Sequence, residues 1–253
     1  AAKISNIKIY LFEPNMVLGR ANSFFLKFCE KIFCYSDRVK NFPIFFLNKI
    51  VKIDPLLRKE FYSFKHNENN ITSDKINLLI IGGSQGARLF DTAIKDTIIN
   101  LSKKYTLKVF HQTSILNFKN LRDFYDKNKI KHELFDYEEN FLALISNINL
   151  CITRAGASTL SELNFLNIPY LTIPFLLSKD NHQLENALFF KDKDCCWLLE
   201  QSDIKNDELT NYLIKIIENK EDYSNKKKNM KKISYQNTWN KINQKLIEIV
   251  DEN

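Results

Sequence analysis

The sequence predicts an α/β fold built on a doubly wound parallel sheet, and three observations carry that expectation. From Asn77 to Leu199, short apolar runs alternate with amphipathic helical stretches, the arrangement that covers both faces of a parallel sheet. The chain of 253 residues is 44% hydrophobic, enough for a substantial core and too much for global disorder. It has only five glycines, where average usage of about 7% would give roughly eighteen. Four of them fall in two loops, Gly82, Gly83 and Gly86 in IIGGSQGAR and Gly156 in ITRAGAST. In so glycine-poor a chain, those left should stand where no side chain fits.

Composition narrows the classes further. No stretch reaches about 18 uninterrupted apolar residues, so no membrane-spanning helix is expected. The five cysteines, Cys29, Cys34, Cys151, Cys195 and Cys196, form no C-x-x-C pair and suit a reducing compartment. No secretory signal opens the chain. The formal charge is +7, and Lys, Asn, Ile and Phe are plentiful, which reads as genomic bias. A cytosolic soluble protein is the starting expectation.

The elements follow in order. Ile7 to Phe12 is an apolar run that enters a strand almost at once, with nothing ahead of it to pair against and no initiator Met. A fragment or processed product is therefore expected. After FEPN, Ala21 to Ile32 reads as a helix with Phe24, Phe25, Phe28 and Ile32 on one side. Short apolar runs follow at 32–35 and 50–53. Residues 63–75 are polar and aperiodic, which predicts a linker. Beyond it, strands are expected at 77–81, 106–110, 132–135, 150–153, 170–173 and 196–199. Helices are expected at 87–101, 116–127, 140–146, 158–166 and 182–190, and the right-handed crossover rule then gives a Rossmann-like domain. The tail from Asp207 is helical and amphipathic. Its densest charge run, Lys226 to Lys232, is read as a solvated helix face in preference to a membrane-attracting patch.

In open α/β sheets, ligands bind beyond the carboxyl ends of the strands. GGSQGA lies at such an end, where free N–H groups at a helix start can hold a phosphate and Ser84 adds a hydroxyl. A Walker loop fails because Ala87 and Arg88 follow Gly86. A dinucleotide fingerprint fails because the next strand ends in HQTS and not in an acidic residue. The second loop, TRAGASTLSE, repeats the design. Its Glu162 has two equal readings, as part of a Thr159-x-x-Glu162 capping box or as acceptor of two ribose hydroxyls. The third segment, PFLLSKDNHQLENA, gathers Asp180, Asn181, His182, Gln183 and Asn186, the polar groups that a sugar requires.

Taken together, GGSQGAR, HQTS, TRAGASTLSE and DNHQLENA resemble the MurG family in order and spacing. FEPNMVLGRAN resembles that family's HEQN-x-x-x-G-x-x-N turn, and IDPLLR its N-P-x-R element. The resemblance runs from about Lys3 to Leu199. It implies the two-domain glycosyltransferase B fold, with a complete Rossmann-like donor domain and a partial Rossmann-like acceptor domain. The expected boundaries are 1–74 for the acceptor remnant, 75–220 for the donor domain and 221–253 for a helical tail packing back on the first part. The implied activity is inverting transfer of N-acetylglucosamine from UDP-GlcNAc to undecaprenyl-pyrophosphoryl-MurNAc-pentapeptide, lipid I, giving lipid II.

The resemblance also implies the site. Ala157, Ser158, Thr159, Leu160, Ser161 and Glu162 form the nucleotide loop, with Glu162 on the ribose. Ser84 and Arg58 face the diphosphate, Gln183 and Asn186 the GlcNAc hydroxyls, and Asn15 stands on the cleft side of the other domain. The segment around Tyr137 and Glu138 meets uracil through backbone groups. No metal or cofactor is expected, since fixed donors and helix dipoles can stabilise leaving UDP. The implied partners are the donor, lipid I and the cytoplasmic face of the membrane, with no nucleic acid. Three departures stand out: HEQN is Phe12-Glu13-Pro14-Asn15, N-P-x-R gains a residue before Arg58, and the family's G-G-T-G-G-H loop with its proposed catalytic His is absent. No catalytic base is therefore expected in these 253 residues, and residues 1–74 are expected to pack poorly. The alternatives are a donor-binding subunit needing a separate acceptor-domain partner, or a glycolipid synthase of the same fold.

Overall fold

The computed structural model describes residues 7–64, 71, 75–82, 89–175, 178–204, 207–234 and 237–251. Its first part is a small parallel sheet of three strands, β1 (Tyr10–Glu13), β2 (Lys31–Cys34) and β3 (Ile50–Lys52), paired in that order. Alternation along β2 puts Ile32 and Cys34 on one face with Leu18, Leu26 and Val39, and Phe33 on the other with Met16, Tyr35 and Ile53. Between β1 and β2 lie α1 (Arg20–Phe25) and a 3₁₀ turn, Leu26–Phe28. The helix expected to reach Ile32 thus ends at Phe28, because Ile32 is needed inside β2. The poor packing expected of this part is also not what residues 7–64 show. The α1 turn folds over its own sheet and buries Leu26, Ile32 and Cys34 completely, while Phe24 and Phe25 stay exposed. A short helix, α2 (Lys59–Ser63), follows Arg58.

The second sheet holds six strands. In chain order the elements are β4 (Lys75–Ile81), α3 (Lys95–Lys104), β5 (Thr106–Gln112), α4 (Phe118–Lys127), β6 (Lys131–Phe135), α5 (Phe141–Ile145), β7 (Leu150–Thr153), α6 (Ala157–Phe165), β8 (Tyr170–Thr172), α7 (His182–Lys191) and β9 (Trp197–Leu198). Residues 89–93 are also helical, with a turn at Ile94 before α3. Of the glycine-rich loop, Gly83 to Arg88 lie outside the described residues. The spatial order is β6-β5-β4-β7-β8-β9, every pairing parallel. This is the Rossmann order, and the chain reverses direction between β4 and β7. Strand β4 is apolar on both sides: Ile76, Leu78 and Ile80 join one core, Leu79 and Ile81 the other. Burial on both faces is what a continuous apolar run means in a parallel sheet.

The tail continues as α8 (Glu208–Glu218), α9 (Lys220–Ser234) and α10 (Trp239–Asp251). Helix α9 lies along the six-stranded unit and sends Tyr223 to one core and Met230 to the other. Helix α10 rests on the small sheet, with Leu246 and Ile249 against Phe33 and Ile53 and Lys245 Nζ donating to the Lys52 carbonyl at 2.6 Å. The lysine run is the expected solvated face only in part, at the exposed Lys228, Lys231 and Lys232. Lys226 and Lys227 are buried, and Lys226 is paired with Asp194 and Asp222 over the Trp197 ring. A lysine stem covers apolar surface well when its ammonium finds carboxylates, so this half of the run packs inward.

Candidate functional site

A cleft of about 370 Å³ opens at the carboxyl ends of β4 to β7, where a doubly wound sheet places its ligands. Its floor is Ile81, Gly82, Thr153 and Arg154, one end is Phe135, Tyr137, Glu138 and Phe141, and Arg58 reaches over from the small sheet's side. Helix α6 starts into this cleft. Its N-cap is Gly156 with extended backbone and no side-chain cap, so the N–H groups of Ala157, Ser158 and Thr159 have no intrahelical acceptor. That is an anion-binding helix start.

Glu162 lies two turns into the same wall. The helix begins at Ala157, so Thr159 is its third residue and not its cap, and the capping-box reading fails. The carboxylate, with the side chain 20% exposed, is 3.7 Å from Arg58 Nε. Burial raises its pKa above the ordinary 4.5, with Arg58 pulling the other way. Such a carboxylate, half-withdrawn from water and opposed by one guanidinium, can accept two hydroxyl hydrogen bonds.

Arg154, not among the residues picked out from sequence, is the central cation. It is 4% exposed, and its Nη1 donates to the carbonyls of Ile173 and Pro174 and to Gln201 Oε1. The guanidinium lies between the rings of Phe90 and Phe175, 5.2 and 5.3 Å from their centroids. Burial lowers its pKa to about 10. Its sequence signal is an arginine directly after a strand, among small residues that carry no charge.

The remaining expected residues divide. Thr159, Glu162, Arg58 and Gln183 line the cleft, as do Tyr137 and Glu138. Ser158 is exposed, whereas the side chains of Leu160 and Ser161 are buried and do not line it. Ser84 lies outside the described residues. Gln183 Oε1 accepts from the backbone N–H groups of Ala155 at 3.3 Å and Phe175 at 2.9 Å, so it ties two strand ends together. Asn186 is a correction. It is 1% exposed and not part of the cleft lining. Its Nδ2 donates to Asn15 Oδ1 at 3.0 Å and Ala155 O at 3.1 Å, and its Oδ1 accepts from Met16 N at 2.9 Å. Both amide hydrogens are therefore bound to protein, and the side chain joins the small sheet to α7 instead of facing a sugar.

Asn15 belongs to the same construction. Glu13, buried, accepts from Asn15 N and Nδ2 through Oε1, and from Gly19 N at 2.7 Å and Asn22 Nδ2 at 3.0 Å through Oε2. A Cβ on Gly19 would come within 3.0 Å of Oε2. The spacing Glu-x-Asn-x-x-x-Gly-x-x-Asn is thus one hydrogen-bonded knot that presents Asn15 and Met16 to Asn186.

A Rossmann-ordered sheet with an uncapped helix start and a carboxylate at its switch point has the arrangement of nucleotide-binding α/β domains. The C-terminal domain of glycosyltransferase family 28 matches residues 77–244, and the chain belongs to that family. Within it, a UDP-N-acetylglucosamine–N-acetylmuramyl-(pentapeptide) pyrophosphoryl-undecaprenol N-acetylglucosamine transferase of Pelagibacter ubique is 54% identical over 252 residues, all of this chain and 70% of the relative. The transferase of the same name from Rickettsia felis is 34% identical, over 87% of this chain and 63% of the relative. The chain belongs to this MurG family. Crystalline MurG of Acinetobacter baumannii has the same fold, with a TM-score of 0.75 at 20% identity over all of this chain and 70% of its own.

Proposed function

We propose that the cleft at the β4–β7 switch point holds UDP-N-acetylglucosamine, and that the chain serves inverting transfer of GlcNAc to lipid I. The observation that carries this is Glu162, held on the cleft wall beside the open first turn of α6 and across from Arg58. In this reading Glu162 accepts the two ribose hydroxyls. The N–H groups of Ala157 to Thr159, with Arg58 and Ser84, receive the diphosphate and stabilise UDP as it leaves. Tyr137, Glu138 and Phe141 border the uracil end, and Gln183 the sugar end. The identity with the Pelagibacter and Rickettsia transferases supports the donor and the acceptor alike.

Inverting transfer also requires a base on the acceptor hydroxyl. No described histidine lines the cleft: His111 is fully buried against Tyr125 and Asp91, and His132 stacks on Tyr125. The reading therefore assigns the base to the part of the relatives' length that this chain does not match. The division into 1–74, 75–220 and 221–253 is retained in this proposal, with α10 returning to the small sheet. A peripheral place at the membrane surface is proposed as well. Among the described residues no helix is long and apolar enough to cross a membrane, while Phe24, Phe25, Ile44 and Phe45 are exposed on the small sheet's side. The test is calorimetric titration of UDP into the chain and into Glu162→Gln. Micromolar-range binding that falls at least tenfold in the variant supports the assignment; equal affinity in two folded proteins removes it.

A further inference from the structure

A second cavity, about 210 Å³, lies on the seam where the small sheet, the donor unit and the end of α9 meet. Three of its lining residues, Ser161, Asn164 and Asn237, are at most 5% exposed, and each keeps a buried oxygen with no hydrogen-bond partner. The two amides cannot turn to remedy this. Asn164 Nδ2 donates to the Leu160 carbonyl at 2.7 Å and to Tyr170 Oη at 2.6 Å, and Asn237 Nδ2 donates to the Pro55 carbonyl at 2.9 Å. Their Oδ1 atoms are held as acceptors, and leaving buried acceptors unpaired is costly. The rest of the wall is mostly aromatic and aliphatic, with Phe165, Phe189, Phe190, Ile53 and Ile233, and carries the charged Lys52, Asp54 and Lys193.

We propose that this seam cavity binds a small neutral ring compound bearing an O–H or N–H donor. The acceptors call for a donor, and the aromatic walls call for a flat apolar body. An anion would face the two amide oxygens. A cation would face Lys52 and Lys193, which outnumber the one lining carboxylate, Asp54; Lys193 has its Nζ 3.4 Å from the centre of the Phe189 ring. A neutral ring of phenol or indole size meets neither objection, and cavities of comparable scale take up benzene when their walls are apolar. Because the walls come from both sheets, an occupant would hold their relative orientation, and with it the position of Arg58 over the cleft. This site is separate from the donor cleft: Ser161, placed in the nucleotide loop by its motif, lines the seam cavity and not the cleft.

The experiment is fluorine NMR titration of the whole chain with 4-fluorophenol, and with 4-fluorotoluene as the same ring without a donor. Saturable binding of 4-fluorophenol is expected, at least fivefold tighter than 4-fluorotoluene. It should be weakened about tenfold by Asn237→Ala and abolished by Ile233→Trp, which fills the cavity, with circular dichroism reporting the fold of each. Saturating UDP should leave it in place. Equal binding of the two probes, displacement by UDP, persistence in folded Ile233→Trp, or no saturable binding because water satisfies the three oxygens would each overturn the proposal.

Discussion

Glu162 stands between two influences, and the balance sets a pH dependence. Burial raises its pKa, with the neighbouring Arg58 opposing. A raised carboxyl pKa means that the folded chain favours the protonated form. The stability this group contributes is therefore present below its ordinary pKa and is lost as pH rises through the raised one. The ionised form thus serves ligand binding and not folding. Glu162→Gln should accordingly leave the ligand-free melting temperature within a few degrees of the parent while UDP affinity falls roughly tenfold or more. UDP affinity of the parent should decline as pH is lowered, and the decline should set in above the ordinary carboxyl value because burial raises the pKa; calorimetry across pH 4–8 checks this, and a flat profile would refute it. Asn186 behaves in the opposite way. Asn186→Ala strands Met16 N–H and frees Asn15, with an expected loss of about 1–3 kcal/mol in urea unfolding and a smaller effect on UDP binding.

At the scale of elements, the turn after β1 depends on one close approach. Gly19 has ordinary backbone angles, so its requirement is space: a Cβ would stand only 3.0 Å from Glu13 Oε2, and Glu13 is pinned by four donors. Gly19→Ala should cost about 1–3 kcal/mol by overpacking, read as a lower urea midpoint with unchanged slope. Helix α9 offers the converse case. Lys226 is buried between Asp194 and Asp222, and both hydrogen bonds raise its pKa although burial pulls it down. Removing one partner of a buried ion pair leaves the others uncompensated, so Lys226→Met should lower stability by about 1–3 kcal/mol, less than for a fully buried pair because Asp194 and Asp222 are partly exposed, and Lys226→Asp should cost more. Helix α7 works through two residues a turn apart. Gln183 accepts from Ala155 N–H and Asn186 donates to Ala155 C=O, so one helix holds both backbone polar groups of Ala155, in the segment that leads into α6.

For the whole molecule, the two sheets are joined by α10, by Phe189 of α7 and by the Asn186 contacts, with the exposed ion pair Arg20–Asp180 and the half-exposed pair Lys40–Glu185 beside them. Exposed pairs of this kind contribute little, so the apolar contact of α10 should dominate. Leu246→Asp combined with Ile249→Asp should lower amide protection across residues 7–53 in hydrogen exchange and leave β4, β5 and β7 protected. Loss of protection in both sheets together would show that they unfold as one unit. The chain is also expected to bind UDP yet to release none from UDP-GlcNAc with a soluble lipid I analogue, because no described histidine lines the cleft; robust turnover would place the base within these residues.

What the sequence determined by itself is what depends on local chemistry. Apolar runs such as Lys75–Ile81 and Leu150–Thr153 can be satisfied only as strands covered on both faces, and the 3.6-residue period between them can bury only one helical stripe. The strands, most helices and the two small-residue loops were therefore legible, whereas a shared cleft for Glu162, Arg58, Gln183 and Thr159 was what the family resemblance implied and not what local chemistry fixed. Tertiary structure decided the strand order β6-β5-β4-β7-β8-β9, which sets the ends of β4 and β7 side by side although they are about 70 residues apart. It moved the start of α6 ahead of Thr159, and so removed a capping box that the local pattern allowed. It also sent Asn186 to the small sheet, Ser161 to the seam and Lys226 inward. Polar side chains are legible as polar wherever they stand, but which partner satisfies each one depends on which distant element packs over it, and that is a property of the assembled fold alone.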